Sequence, residues 1–186
     1  MRKIVVVLCL MLALPAFCAG PPRERPAWQT KTLEAIPLLG HRNWILVVDS
    51  AYPLQSSQGV ETIETNENQL DVVRFVLGAV NRSIHVRPDI FMDAELPFVQ
   101  DDDAPGASAY RREIGDLLRD YGVQSLAHEK IIGQIDETSK VFNVLVLKTN
   151  MAVPYTSVFI RLNCKYWSDD AEQRLRKKMG GAGAGK

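Results

Sequence analysis

Gly40-His41-Arg42-Asn43-Trp44-Ile45-Leu46-Val47-Val48-Asp49-Ser50-Ala51-Tyr52-Pro53 is the stretch that decides the fold class. Trp44 to Val48 is a short unbroken apolar run, the pattern of a strand covered on both faces. Gly40 follows a helix-like run and can close it in the left-handed conformation open to a residue without a Cβ. His41 and Asp49 therefore stand near opposite ends of one buried strand. They meet only if folding, or a neighbouring subunit, brings other elements over them.

Outward from this strand, helical and extended patterns alternate. Trp28 to Leu39 reads as a helix disturbed by Pro37. Val60 to Thr65 alternates as a short strand. Asn68 to Asn81 puts Leu70, Val73, Leu77 and Val80 on one helical face, with Asn66 or Asn68 as N-cap. His85 to Met92 reads as a strand that Pro88 confines to an edge or breaks. A helix is expected over Ala107 to Tyr121 with Gly122 as its stop, then a short strand from Val123 to Leu126. Val141 to Lys148 and Tyr155 to Leu162 look like a terminal strand pair, and Asp169 to Met179 like a charged helix capped by Ser168. The alternation implies a layered α/β/α single domain with a mixed, largely parallel sheet.

The amino-terminal residues follow a different logic. Arg2-Lys3, an apolar run from Ile4 to Leu14 and the small-residue region Pro15 to Gly20 make a secretory signal peptide pattern over residues 1–20. The run is short for a membrane span of about 20 residues, although an uncleaved anchor and a lipid-modified Cys18 remain alternatives. Residues 21–27 form a proline-rich linker, 28–179 the folded domain, and 180–186 a Gly/Ala tail. Cys9 and Cys18 lie in the leader, so the mature chain keeps Cys164 alone, which cannot form an internal disulfide. The 22 basic and 22 acidic residues cancel, and no basic stripe is interleaved with aromatics, which argues against a nucleic-acid partner. No Cys/His cluster has zinc spacing. No Gly-x-Ser-x-Gly elbow surrounds Ser50, Ser56 or Ser57. Asp101-Asp102-Asp103 lacks the pattern of a calcium loop and reads as a solvated acidic turn.

Three ordered segments carry a family resemblance. Gly40-His41, the apolar strand and Asp49-Ser50-Ala51-Tyr52-Pro53 resemble the opening motif of the D-ribose pyranase and L-fucose mutarotase family. His128-Glu129 is similar to that family's His-Glu. Val144 to Asn150 followed by Val153-Pro154-Tyr155-Thr156-Ser157 is similar to its late strand, turn and Pro-Tyr-x-Asn. The resemblance implies a cofactor-free, metal-free isomerase acting on a free monosaccharide. In such chemistry a base takes the proton of the anomeric hydroxyl while an acid protonates the ring oxygen, work suited to a histidine with an unperturbed pKa of about 6.5. It makes His41 the general acid/base and Asp49 its electrostatic and hydroxyl-binding partner, with His128, Lys148, Tyr155 and Ser157 shaping the sugar site. It further implies a homo-oligomer whose sites are completed by a neighbouring subunit, here periplasmic or secreted and free of the membrane once the leader is removed.

On residue type alone the blander readings stay open. His41 can be a histidine beside a helix end, Asp49 a turn former after a strand, His128 a histidine at a helix start or in a loop, and Tyr155 an aromatic at a strand start. Ser157 stands where the family has asparagine and offers one hydroxyl in place of a carboxamide. A non-catalytic exported carbohydrate-binding or structural oligomer of the same fold is therefore the second reading. The leader pattern predicts a mature amino terminus at Ala19 or Pro21, read by mass spectrometry of the exported protein; an intact Met1 in a soluble cytoplasmic fraction would contradict it.

Overall fold

Trp44–Val48 forms β1, bounded where the apolar run places it, and all five residues are buried. Its side chains divide between two layers, as period-two alternation requires. Ile45 and Val47 enter one core cluster, while Trp44, Leu46 and Val48 enter another. The computed structural model describes residues 24–182, and the expectations for a leader fall on residues outside that range.

The remaining strands are β2 (Val60–Glu64), β3 (Val86–Asp93), β4 (Gln124–Leu126), β5 (Val144–Lys148) and β6 (Val158–Cys164). They form one six-stranded sheet in the order β2-β5-β1-β6-β3-β4. β1, β2 and β5 pair in parallel, as do β3 and β4, and β6 runs antiparallel to both of its neighbours. Helices α1 (Ala27–Ala35), α2 (Gln69–Arg82) and α3 (Ala107–Leu117) pack through Trp28, Val73, Val76, Leu77 and Ile114 on the larger cluster. Helix α4 (His128–Ser139) buries Ile131 and Ile135 on the other face. Helix α5 (Asp169–Ala182) closes the described chain, with Ser168 Oγ accepting from the Ala171 N–H. The expected layered, largely parallel α/β domain is what the chain forms. None of the described helices is long and apolar enough to cross a membrane.

The expectations differ from the structure at several points. β5 and β6 are not a pair, because β1 lies between them. Sequence neighbours joined by a turn suggest a hairpin, but β1 is apolar on both faces and needs a partner on each edge. The connection from Thr149 to Ser157 therefore crosses over the carboxyl end of β1. Gly40 does not adopt a left-handed conformation; Arg42 does, with φ 76°, in a turn closed by a hydrogen bond from the Gly40 N–H to Asn43 Oδ1 at 2.7 Å. α3 stops at Leu117, four residues before the expected end. α4 enters the sequence reading only as the alternative that His128 starts a helix, since its buried face rests on few apolar residues. Pro88 sits in β3 beside β6, and β4 reaches only Phe91 to Asp93. At Pro88 β3 thus has an open side, where a missing N–H costs no ladder bond.

Gly59 shows how tightly β2 is joined to the end of α4. A Cβ there would lie 2.3 Å from the Ser139 carbonyl oxygen and 2.8 Å from that of Phe142. Both are backbone atoms that cannot rotate away. Gly59→Ala is expected to cost on the order of 1–3 kcal/mol, the usual range for overpacking, read as a lower denaturation midpoint in urea; an unchanged midpoint would mean the two segments separate freely.

Candidate functional site

The parallel strands deliver their carboxyl ends to one edge of the sheet, where α/β folds place ligand crevices. β1 ends there at Asp49 and β3 at Asp93, β4 leads through Ala127 to His128, and antiparallel β6 contributes its beginning, preceded by Tyr155, Thr156 and Ser157. A crevice of about 490 Å³ opens at this edge. Asp49, Tyr52, Gln55, His128, Ile132 and Tyr155 are among the residues that line it.

Asp49 fills its bland role and keeps capacity for more. Oδ1 accepts from the Ala51 N–H at 2.9 Å and shapes the turn, while among the described residues Oδ2 has only a long contact with Ser157 Oγ at 3.5 Å. Ser157 is 2% exposed, so its hydroxyl sits beneath Asp49 rather than at the crevice surface. Tyr155 takes φ 58°, a left-handed conformation that costs a non-glycine residue on the order of 1–3 kcal/mol. The conformation turns its ring edge-on to His128, with centroids 5.5 Å apart.

His128 is the first residue of α4. Both carboxylate oxygens of Glu95 accept from its backbone N–H, at 3.0 and 3.1 Å. An acidic group at a helix amino terminus satisfies an orphan donor and complements the dipole. The ring Nδ1 lies 3.0 Å from Asp93 Oδ1. The Asp93 side chain is wholly buried, whereas that of His128 is one-third exposed. Burial pushes the Asp93 carboxyl above its ordinary value, against the downward pull of the His128 hydrogen bond and charge. Burial also pushes the Tyr52 phenol up, and the charges of Asp136, Asp49 and Asp93 add to the effect. Tyr52 is thus held as a neutral donor, and neither its hydroxyl nor Asp93 Oδ2 has a hydrogen-bond partner among the described residues.

Beneath the crevice lies a buried polar network. Gln69 Nε2 donates to Tyr110 Oη at 3.0 Å and to the Thr156 carbonyl, which also accepts from Tyr110 Oη at 2.7 Å. Thr149 Oγ1 lies 2.9 Å from the Val48 carbonyl and 3.1 Å from Gln69 Oε1. The crossing from β5 to β6 is held in place by these bonds.

Of the residues singled out in the sequence, Asp49, His128 and Tyr155 line one crevice and Ser157 lies just below it. Lys148 ends β5 beside Val48, and its side chain is not among those lining the crevice. His41 stands at the other end of β1, exposed on a turn, in a depression shared with His85, Trp167 and Arg176. The strand Trp44–Val48 between His41 and Asp49 spans roughly 16 Å at about 3.3 Å per residue, so one chain does not bring them together. His85 Nε2 bonds the Leu39 carbonyl at 2.9 Å, a structural role. The described residues hold no group of three or more His, Cys, Asp or Glu side chains arranged for a metal ion. Sequence reasoning missed Asp93, Glu95 and Tyr52. Asp93 had a signal, since Ile90-Phe91-Met92-Asp93 repeats the apolar run ending in aspartate seen at Val47-Val48-Asp49.

No sequence-family profile matches the chain, and no curated protein does. Solved structures do. RbsD of Bacillus subtilis, solved with D-ribose, superposes with a TM-score of 0.52 at 12% identity, over 75% of this chain and 96% of that one. The fucose mutarotase of Streptococcus pneumoniae, solved with L-fucose, gives 0.47 at 17% identity over 71% and 88%. FucU of Bifidobacterium longum gives 0.49 at 13% over 70% and 90%. Of these only RbsD exceeds 0.5, and at that identity the likeness is one of fold.

The buried carboxyl gives a pH signature. Its folded pKa lies above the unfolded one, so the stabilising contribution is fully present below the ordinary 3.8 and is lost as pH rises through the raised value. Asp93→Asn, which cannot ionise, is expected to melt above the native protein at pH 7, with the gap closing as pH falls toward 3.8. Thermal melts across that range check this, and a constant gap would contradict it.

Proposed function

We propose that this crevice binds a free monosaccharide and interconverts its ring forms. The observation that carries the reading is the convergence of His128, Asp49 and Tyr155 on one crevice at the carboxyl edge of the sheet. Its support from outside is the fold shared with RbsD, which was solved with D-ribose.

In this reading His128 Nε2 faces the sugar and takes the proton of the anomeric hydroxyl as the ring opens. An acid on the opposite side protonates the ring oxygen, and reclosure reverses the transfers. Asp49 Oδ2 accepts from a sugar hydroxyl, and the Tyr155 ring covers an apolar face of the sugar. His41 joins such a crevice only from a second copy of the chain, as general acid/base across a subunit boundary. The working protein is then a homo-oligomer with shared sites. The leader pattern supports a periplasmic or secreted location.

A second reading, a non-catalytic carbohydrate-binding oligomer, is favoured by one observation. Ser157 turns its hydroxyl to Asp49 and offers little to a ligand. Saturation-exchange NMR over a panel of monosaccharides separates the two readings. Exchange above the buffer rate supports turnover, and calorimetric binding without exchange supports the second.

With an active sugar in hand, His128→Ala and His41→Ala are each expected to reduce exchange by roughly 10²–10⁴-fold. Co-expressing the two variants is expected to restore about a quarter of native activity, because random assortment in a head-to-tail ring gives that share of sites both histidines. No recovery in mixed oligomers would remove His41 from the neighbour's crevice.

A further inference from the structure

Ring opening by a histidine requires a defined tautomer, and the structure holds a group placed to choose one. We propose that Asp93 is the positioning residue of the crevice, its carboxylate fixing His128 in the tautomer protonated at Nδ1 and leaving Nε2 as a bare acceptor toward the ligand. Asp93 itself is not among the residues lining the crevice. It lies wholly buried behind the imidazole, with Oδ1 at 3.0 Å from Nδ1. An ionised carboxylate only accepts hydrogen bonds, so the proton of a neutral imidazole must sit on Nδ1. A free histidine in water prefers the proton on Nε2, and Asp93 inverts that preference.

The rest of the environment keeps the ring from escaping the choice. Glu95 anchors the His128 backbone through two contacts, and Tyr155 stands edge-on to the ring. His128 is the ion-pair partner of Asp93 among the described residues; the other ionisable groups acting on its carboxyl are Glu95 and Asp49, both acidic. Asp93 Oδ2 has no hydrogen-bond partner among the described residues. An aspartate serving the fold alone would have both oxygens satisfied, since an orphaned buried acceptor costs roughly 1–3 kcal/mol. Strained electrostatics of this kind gather at functional sites. The competing arrangement is a neutral Asp93 donating to Nδ1, with the imidazole proton on Nε2; it would present a donor to the ligand.

The consequence for turnover rests on the sugar-isomerase reading, whereas the tautomer is a property of the chain. Long-range ¹H–¹⁵N correlation spectra of the native protein, above the imidazole titration, are expected to show His128 Nδ1 with the shift of a protonated nitrogen and Nε2 with that of an unprotonated one. Asp93→Leu removes the acceptor and is expected to move the proton to Nε2. Asp93→Asn, whose carboxamide can either accept or donate, is expected to give a mixture, and it keeps the experiment decisive if the leucine variant does not fold. For a sugar that the native protein interconverts, Asp93→Asn is expected to lower kcat by roughly 10²–10⁴-fold with little change in KM. A native His128 protonated at Nε2, or a tautomer unmoved in the variants, overturns the proposal. If the native protein turns over no sugar, the isomerase reading fails while the spectra still decide the role of Asp93.

Discussion

Gln69 places a carboxamide inside an otherwise apolar layer, and the geometry of the crevice follows from how that amide is satisfied. Its two N–H groups reach Tyr110 on α3 and the Thr156 carbonyl at the start of β6, and its oxygen meets Thr149 at the end of β5. Thr149 in turn touches the last carbonyl of β1. One side chain from α2 therefore ties two helices and three strand ends into a common plane. Each group left unpaired in such a setting costs about 1–3 kcal/mol, so the network holds as a unit or fails as one. The loop that carries Tyr155 over β1 owes its place to this arrangement.

Above that plane the site is acidic and sparsely paired. Asp49, Asp93 and Asp136 all act on the Tyr52 phenol, and among the described residues no lysine or arginine lines the crevice. Such a field disfavours anions and favours neutral ligands that can donate many hydrogen bonds. The left-handed Tyr155 fits the same pattern, since local strain is tolerated where the surroundings over-determine a residue.

The fold class was legible because β1 announces itself: five apolar residues between a turn and an aspartate can only be an interior strand. α2 was legible for a similar reason, with Asn68 capping it through the Leu70 N–H and a broad apolar face. α4 was not, since Ile131, Ile132 and Ile135 are few among polar neighbours. The separation of β5 from β6 was hidden because local pattern carries no information about which strand inserts between two others. Asp49, His128 and Tyr155 could be named from motifs, but the motif around His128 says nothing of Asp93, thirty-five residues away. Spatial partnership of this kind is fixed by the pairing of β3 with β4 and is invisible along the chain.

β6 has a consequence for how the molecule is made. It is the last of the described strands in sequence, yet it sits between β1 and β3 and joins β2-β5-β1 to β3-β4. Until it docks, the nascent chain holds two half-sheets with open hydrogen-bonding edges facing each other, the condition that invites pairing with other chains. Contacts of such long sequence separation also form slowly. Asp49 and His128 come to line one crevice only at that closing step, so the crevice cannot form until β6 has been synthesised.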